Sequence, residues 1–257
     1  MGVRSGREIE LRLEPAGTGA GLTLVCSDLG EQWPLDLAHS RPGPGCTISG
    51  EGDAAVCFVE HLLAVLSACG VTDARILLDG PEVPMFDGSA LPLLELVEQA
   101  GIARSGGEPE PLVIREPVAV MDDGAAVFAV PGEPAELTYA LHHDHPLIGR
   151  GFASFRPDAD DFATELAPAR TFITVEGAEA ARAAGLLKAG SEENAVVVYP
   201  DHLSEEPTLP DAFARHKLVD LMGDLYLLGR PVIGRISAFF TGHAHNHALA
   251  RQIATQA

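Results

Sequence analysis

The chain has 257 residues, 46% hydrophobic and 5% aromatic, with 27 Gly and 19 Pro, enough to bury one large core or two domains of roughly 100–150 residues. Against 17 Lys and Arg stand 37 Asp and Glu, and the resulting charge of −20 repels phosphate backbones and anionic lipid surfaces, so nucleic acid is excluded as a partner class. No apolar run reaches the roughly 18 residues of a membrane span and no basic-then-apolar leader opens the chain. Cys26, Cys46, Cys57 and Cys69 form no CxxC pair, which predicts reduced thiols in the cytoplasm.

Residues 1–50 read as β-hairpin material: Glu8-Ile9-Glu10-Leu11-Arg12-Leu13 alternates with period two, as does Leu22-Thr23-Leu24-Val25. The glycines of Gly17-Thr18-Gly19-Ala20-Gly21 fall between these strands with no helix after them, so they predict a turn rather than a phosphate cradle. Pro42, Pro44 and their glycines mark a loop. Phe58 to Cys69 then runs with helical spacing and stops at Gly70. A strand over 74–78 follows, and Asp87-Gly88-Ser89 opens a second helix ending near Gly101, with Ser89 as its N-cap. Pro109 and Pro111 place a linker near 104–111.

The second half repeats the plan. Strands are expected around 112–120, 125–130 and 135–142, then a Val-rich run at 195–199. Asp211 caps a long helix ending before Gly229, a strand covers 232–240, and a last helix starts near His243. His61-Leu62-Leu63 parallels His216-Lys217-Leu218, and Gly88-Ser89-Ala90 parallels Gly242-His243-Ala244, at separations of 27 and 26 residues. The expected fold is α+β, with related domains over 1–106 and 112–257, each a sheet with helices on one face, stacked as sheet-helix-helix-sheet.

His216 and Asp220 stand four apart on the long helix, so their side chains share one face roughly 6 Å apart. They read either as an ordinary hydrogen-bonded pair or as nitrogen and oxygen ligands for Zn²⁺ or Fe²⁺. Glu60-His61 lies in an otherwise aliphatic helix, at its wet edge or as a third ligand with an adjacent carboxylate to take a proton from water. Of His243, His245 and His247, alternate spacing leaves one facing the site. His142, His143 and His145 read as loop residues, and Asp79, Glu82 and Asp87 as structural carboxylates in turns. Lys188 and Lys217, the two lysines, are candidates for an anionic substrate along with Arg215 and Arg235.

Val59-Glu60-His61-Leu62-Leu63-Ala64, Asp79-Gly80-Pro81-Glu82-Val83-Pro84 with Asp87-Gly88-Ser89-Ala90, Ala169-Arg170-Thr171-Phe172, Arg215-His216-Lys217 through Asp220 to Gly223-Asp224-Leu225-Tyr226, and Gly242-His243-Ala244 occur in that order. Together they resemble the zinc-dependent UDP-3-O-acyl-N-acetylglucosamine deacetylases of lipid A synthesis. The resemblance implies His61, His216 and Asp220 as zinc ligands, with iron as the alternative ion, and Glu60 as general base. It implies His243 as general acid oriented by Asp224, and Thr171 and Lys217 as oxyanion stabilisers. It also implies a strand-helix-strand insertion at about 171–200, where Phe172, Ile173, Leu186, Leu187 and Val196-Val197-Val198 line an acyl passage, while Lys188 is counted among the substrate contacts on its charge. A monomeric cytoplasmic enzyme acting on a UDP-sugar is the expectation.

The chain departs from that pattern where Arg4 stands in place of a usual His and Ala189 interrupts a usual Gly-Gly. A strand usually precedes Met1-Gly2-Val3, so either the first sheet lacks an edge strand or the start lies upstream. The competing readings are a zinc amidase on another N-acetylated sugar or nucleotide conjugate, and a non-catalytic paralogue that binds a ligand.

Overall fold

The computed structural model describes residues 1–43, 45–50, 54–104, 106 and 109–256. In the first half, β1 (Leu11–Pro15), β2 (Leu22–Cys26), β3 (Glu31–Pro34), β4 (Ser40–Gly43), β5 (Gly45–Ser49) and β6 (Ala55–Cys57) precede α1 (Glu60–Ala68), β7 (Ala74–Leu78) and α2 (Leu91–Ala100). In the second, β8 (Leu112–Val113), β9 (Val118–Asp122), β10 (Ala125–Val130), β11 (Glu136–His142), β12 (Arg150–Phe155), α3 (Phe162–Glu165), β13 (Phe172–Thr174), α4 (Val175–Ala183) and β14 (Val196–Val198) lead to α5 (Ala212–Tyr226). β15 (Val232–Ile233), β16 (Arg235–Phe239) and α6 (His243–Ala254) complete the order.

Alternation explains which face each strand buries. Leu22, Leu24 and Cys26 of β2, Ala74, Ile76 and Leu78 of β7, and Leu137, Tyr139 and Leu141 of β11 point inward, and each such large apolar side chain stabilises the fold by about 1.5–3 kcal/mol. Alternation does not name a strand's neighbour. β1 and β2 form no hairpin, because β7 lies between them, antiparallel to β1 and parallel to β2. The first sheet is ordered β1-β7-β2-β3 and the second β12-β11-β16-β10-β9. Dropping β9 and reading the second from its other side gives β10-β16-β11-β12, with the same antiparallel, parallel, antiparallel sequence of pairings. The repeated plan is therefore real at the level of topology, and the first sheet has no counterpart of β9 among the described residues.

The helices pack between the sheets: α1 against α5 and α2, and α6 against α5, β9 and β10. One apolar cluster runs from Leu24 and Ile76 of the first sheet through Leu62, Leu66, Leu218 and Leu221 to Ile236 and Val127 of the second. Residues 60–66 of α1 are buried on every side, as a helix enclosed between layers must be. At Gly223 of α5 a Cβ would overlap the main-chain carbonyl of Glu60, so glycine is what lets the two helices touch backbone to backbone.

Four local expectations are corrected. Pro42 lies in β4, an edge strand that needs no donor at that position, rather than in a loop, while Pro44 is outside the described residues. Ser89 precedes the N-cap, Ala90, and its hydroxyl instead accepts from Leu91 N–H at 3.2 Å. Asp211 holds the N-cap position of α5 but gives that helix no side-chain hydrogen bond; its Oδ1 accepts from Phe152 N–H of β12 at 3.3 Å. The 232–240 strand is divided by Gly234 into β15 and β16. The linker expected near 104–111 lies partly outside the described residues.

Candidate metal and acid–base site

β6 runs into α1 through Phe58, whose φ of 62° turns the chain so that Glu60 and His61 fall in the first helical turn. Glu60 is buried, and its Oε2 accepts from Cys46 N–H at 2.8 Å. This approach requires Gly45, where φ is 63° and a Cβ would strike the Glu60 carboxylate. α5 delivers His216, Lys217, Asp220 and Asp224 at helical spacing, and α6 begins with His243.

The two helices bring His61, His216 and Asp220 together. Nε2 of His61 lies 3.5 Å and Nε2 of His216 3.6 Å from Asp220 Oδ1, and all three ligand-type atoms lie within 4.8 Å of one another. The imidazole rings meet edge to face, with centroids 5.1 Å apart. Burial pushes His216 down to about 3, so its ring is a neutral donor, and its Nδ1 is paired with the Ala169 carbonyl at 3.2 Å. Burial opposes the charge on Asp220, but Lys217, at 2.7 Å, and the neighbouring imidazoles hold its carboxyl well below the usual range. The same carboxylate outweighs burial on Lys217 and keeps its ammonium above the ordinary lysine value. Two imidazole nitrogens and one ionised carboxylate oxygen form a donor set suited to a divalent transition metal.

Glu60 and His243 flank this trio. Oε1 of Glu60 stands 4.0 Å from Nε2 of His243, and those atoms with Asp220 lie within 4.8 Å of one another. Burial raises the Glu60 carboxyl above its usual value, against the pull of His243 and His61. His243 is opposed by burial too, yet Asp224, bonded to its Nδ1 at 2.8 Å, together with Glu60 and Asp220 drives it up to about 10. A raised carboxyl and a protonated imidazole a few ångströms apart can exchange protons with a substrate held between them.

The other candidates are placed as follows. Thr171 is fixed by its main chain, donating to the Gly88 carbonyl at 2.8 Å and accepting from Val196 N–H at 2.8 Å; its hydroxyl makes no hydrogen bond among the described residues. Phe172 packs on Phe213 with centroids 4.5 Å apart and sets its edge toward His216 at 6.1 Å. Ile173 and Leu186 are half-buried on the strand-helix-strand segment, where β13 and β14 pair in parallel around α4. Lys188 is exposed in the loop of that segment between α4 and β14, facing Gly6. Arg215 is spent on Glu165 at 2.6 Å, and Arg235 is exposed on β16. His142 closes β11 and is exposed, as are His143 and Glu82's turn neighbour Asp79; Glu82 itself is fully buried.

Sequence reasoning missed three participants. His247 stands four residues after His243, hence on the same helical face, and its Nε2 donates to Asp224 Oδ1 at 3.2 Å; the expectation that a single histidine of this group faces the site is corrected. Asn246 donates to Oδ2 of Asp224 at 2.8 Å. Cys46 acts through its main-chain N–H and places its thiol beside Asp224 and His247, where burial raises it well above its usual value.

No helix among the described residues is long and apolar enough to cross a membrane. Residues 1–255 match the UDP-3-O-acyl N-acetylglycosamine deacetylase family. Curated relatives named UDP-3-O-acyl-N-acetylglucosamine deacetylase include one from Myxococcus xanthus, 38% identical over 98% of this chain and 82% of its own length. One from Anaeromyxobacter dehalogenans is 38% identical over 98% of this chain and 83% of its own, and one from Thermosynechococcus vestitus 38% identical over all of this chain and 90% of its own. A match along the whole chain, with the histidines, carboxylates and helices converging as described, places this protein in the UDP-3-O-acyl-N-acetylglucosamine deacetylase family.

Proposed function

We propose that the chain is a zinc-dependent amide hydrolase that removes the N-acetyl group of UDP-3-O-acyl-N-acetylglucosamine and releases acetate, the reaction that the resemblance ties to lipid A synthesis. The observation that carries this reading is the meeting of His61, His216 and Asp220 between α1 and α5, with Glu60 and His243 4.0 Å apart beside them.

His61, His216 and Asp220 would hold the ion, Zn²⁺ rather than Fe²⁺ in this reading, which when bound polarises the acetamide carbonyl and lowers the pKa of a water to about 7. Glu60, its Oε2 anchored by Cys46 N–H, receives the proton of the attacking water at Oε1. The ammonium of Lys217 and the hydroxyl of Thr171 stabilise the charge that develops on the carbonyl oxygen, a contact typically worth about 3 kcal/mol. His243 gives its Nε2 proton to the departing nitrogen while Asp224 keeps the Nδ1 side in place. Phe172, Ile173 and Leu186 offer the acyl chain an apolar path, and Lys188 offers a cation to the anionic part of the substrate.

The same reading divides the chain into domains at 1–106 and 112–257, with an insertion at about 171–200. It takes the protein as a cytoplasmic monomer, which four free cysteines suit and which sedimentation velocity and fractionation test. The test of function is metal-dependent acetate release from the acylated UDP-sugar compared with its non-acylated analogue. Metal-loaded protein that releases no acetate from the acylated substrate overturns the reading, and equal rates on both substrates overturn the acyl-chain assignment.

A further inference from the structure

Arg170 and Thr171 lie on the stretch where the second half of the chain leans on the first. The N–H of Ala90 donates to the Ala167 carbonyl at 3.0 Å and that of Thr171 to the Gly88 carbonyl at 2.8 Å, so residues 167–171 run along the turn that precedes α2. The turn is closed by its own carboxylate: Asp87 Oδ1 accepts from Ser89 N–H at 2.9 Å and from Ser89 Oγ at 2.8 Å. Gly88, with φ of 87°, leaves no space for a side chain, because a Cβ would strike the Asn194 carbonyl and come to 3.0 Å from Thr171 Cγ2. The main chain and the methyl group of Thr171 therefore both rest on Gly88.

The Thr171 hydroxyl makes no hydrogen bond among the described residues, so its position depends on that seat. Arg170 fastens the seat. Its Nε donates to the Asp87 carbonyl at 2.6 Å, its Nη2 to the Glu192 carbonyl at 2.7 Å and its Nη1 to Glu205 Oε2 at 2.6 Å. One planar fork, its side chain 13% exposed, thus joins the turn of the first half to the loop between α4 and β14 and to the chain after β14. Glu205 is half exposed, and an ion pair in that setting contributes little, so the two carbonyl bonds are the ones that hold. Ala169 is tied separately: its N–H donates to the Leu166 carbonyl at 2.9 Å and its carbonyl is paired with His216 Nδ1 at 3.2 Å. Loosening Arg170 therefore disturbs Thr171 before it disturbs His216.

We propose that Arg170 is a positioning residue that acts through Thr171. By clamping the Asp87-Gly88 turn to the strand-helix-strand segment, it holds the Thr171 hydroxyl where charge develops on the carbonyl oxygen. This inference rests on the oxyanion role proposed for Thr171.

The test is a double-mutant cycle read by acetate release, with metal content and thermal unfolding checked in each variant. Thr171→Val should lower kcat by about 10² with KM little changed, as expected on losing a donor used only in the transition state. Arg170→Ala should lower kcat nearly as far, and Arg170→Lys, whose ammonium reaches one carbonyl where the fork reaches two, by about tenfold. In the Thr171→Val background either Arg170 substitution should cost less than about threefold more, because the hydroxyl it positions is gone. Glu205→Gln, which spares both carbonyl bonds, should stay within about twofold of wild type. Losses that multiply in the double variants, that appear as raised KM alone, or that follow loss of metal overturn the inference, and the Lys variant carries the cycle if the Ala variant does not fold. Thr171→Val at the wild-type rate would instead refute the oxyanion role itself and take the inference with it, so the two failures read differently.

Discussion

Replacing Asp224 by Asn tests the proposed general-acid role of His243 most directly. The carboxylate, fully buried, accepts from His243 Nδ1 and Asn246 Nδ2 at 2.8 Å each on Oδ2 and from His247 Nε2 at 3.2 Å on Oδ1. Burial alone would strip the proton from His243, and Asp224 is the largest of the groups that instead raise it from 6.5 to about 10. A charge-assisted hydrogen bond is worth about 1.5–3 kcal/mol, which at about 1.4 kcal/mol per pKa unit makes roughly one to two units of that rise. The acid is competent while protonated, so activity persists below its pKa and is lost as pH rises through it. Asp224→Asn should therefore move the basic limb of kcat down by about one to two units. At neutral pH His243 would still be largely protonated, so any loss there measures orientation. One amide oxygen cannot serve three donors, and kcat should fall by about 10²–10³. The assay is acetate release across roughly pH 6 to 11 with metal content held constant. A basic limb in its wild-type position would refute the reasoning.

Glu60→Gln keeps the bond to Cys46 N–H through its amide oxygen but cannot take a proton, and should lower turnover by roughly 10²–10⁴ with metal content unchanged by elemental analysis. His61→Ala removes one of the three proposed metal donors; equilibrium dialysis should show metal lost at concentrations that saturate the wild type. His247→Ala leaves Asp224 one donor short in a fully buried place and should cost about 1–3 kcal/mol in denaturant unfolding. Gly223→Ala drives a methyl into the Glu60 carbonyl; thermal unfolding should show a loss of at least about 1–3 kcal/mol, with metal affinity reduced because α1 must retreat from α5. Unaltered stability in that variant would mean the helices do not touch there.

Helical period made half of the site readable in advance. His216 and Asp220 share a face because they are four apart, and the same arithmetic applies to His243 and His247, whose pairing was available in the spacing but hidden by the intervening His245. Glu60 and His61 stood out because charged groups in an aliphatic helix need partners. Cys46 gave no signal, since it acts through its main chain, and a main-chain donor looks alike in every residue. Strand positions followed from alternation, as β7 shows, but the placing of β7 between β1 and β2 depends on pairing across more than fifty residues, which no local pattern encodes. β12 escaped notice because Gly151 and Ala153 blunt the contrast between its two faces.

The topological repeat explains why the chemistry sits where it does. Each half supplies strand, strand, strand, helix, strand and helix, and stacking the halves helix to helix makes α1 and α5 counterparts in the middle layer. His61 and His216, matched in the repeated motif, thereby meet at 5.1 Å, and a two-nitrogen site follows from the symmetry itself. The rest is departure from symmetry: α5 alone adds Asp220 and Asp224, α1 alone adds Glu60, and α6 begins with His243 where α2 is preceded by Ser89. The proposed catalytic set is thus divided between the halves, with the proposed base and one proposed ligand from the first and the proposed acid, its holder and two proposed ligands from the second. Neither half holds a complete site, so the packing of α1 on α5, closed by the bare Gly223, is as much a condition of activity as any charged side chain.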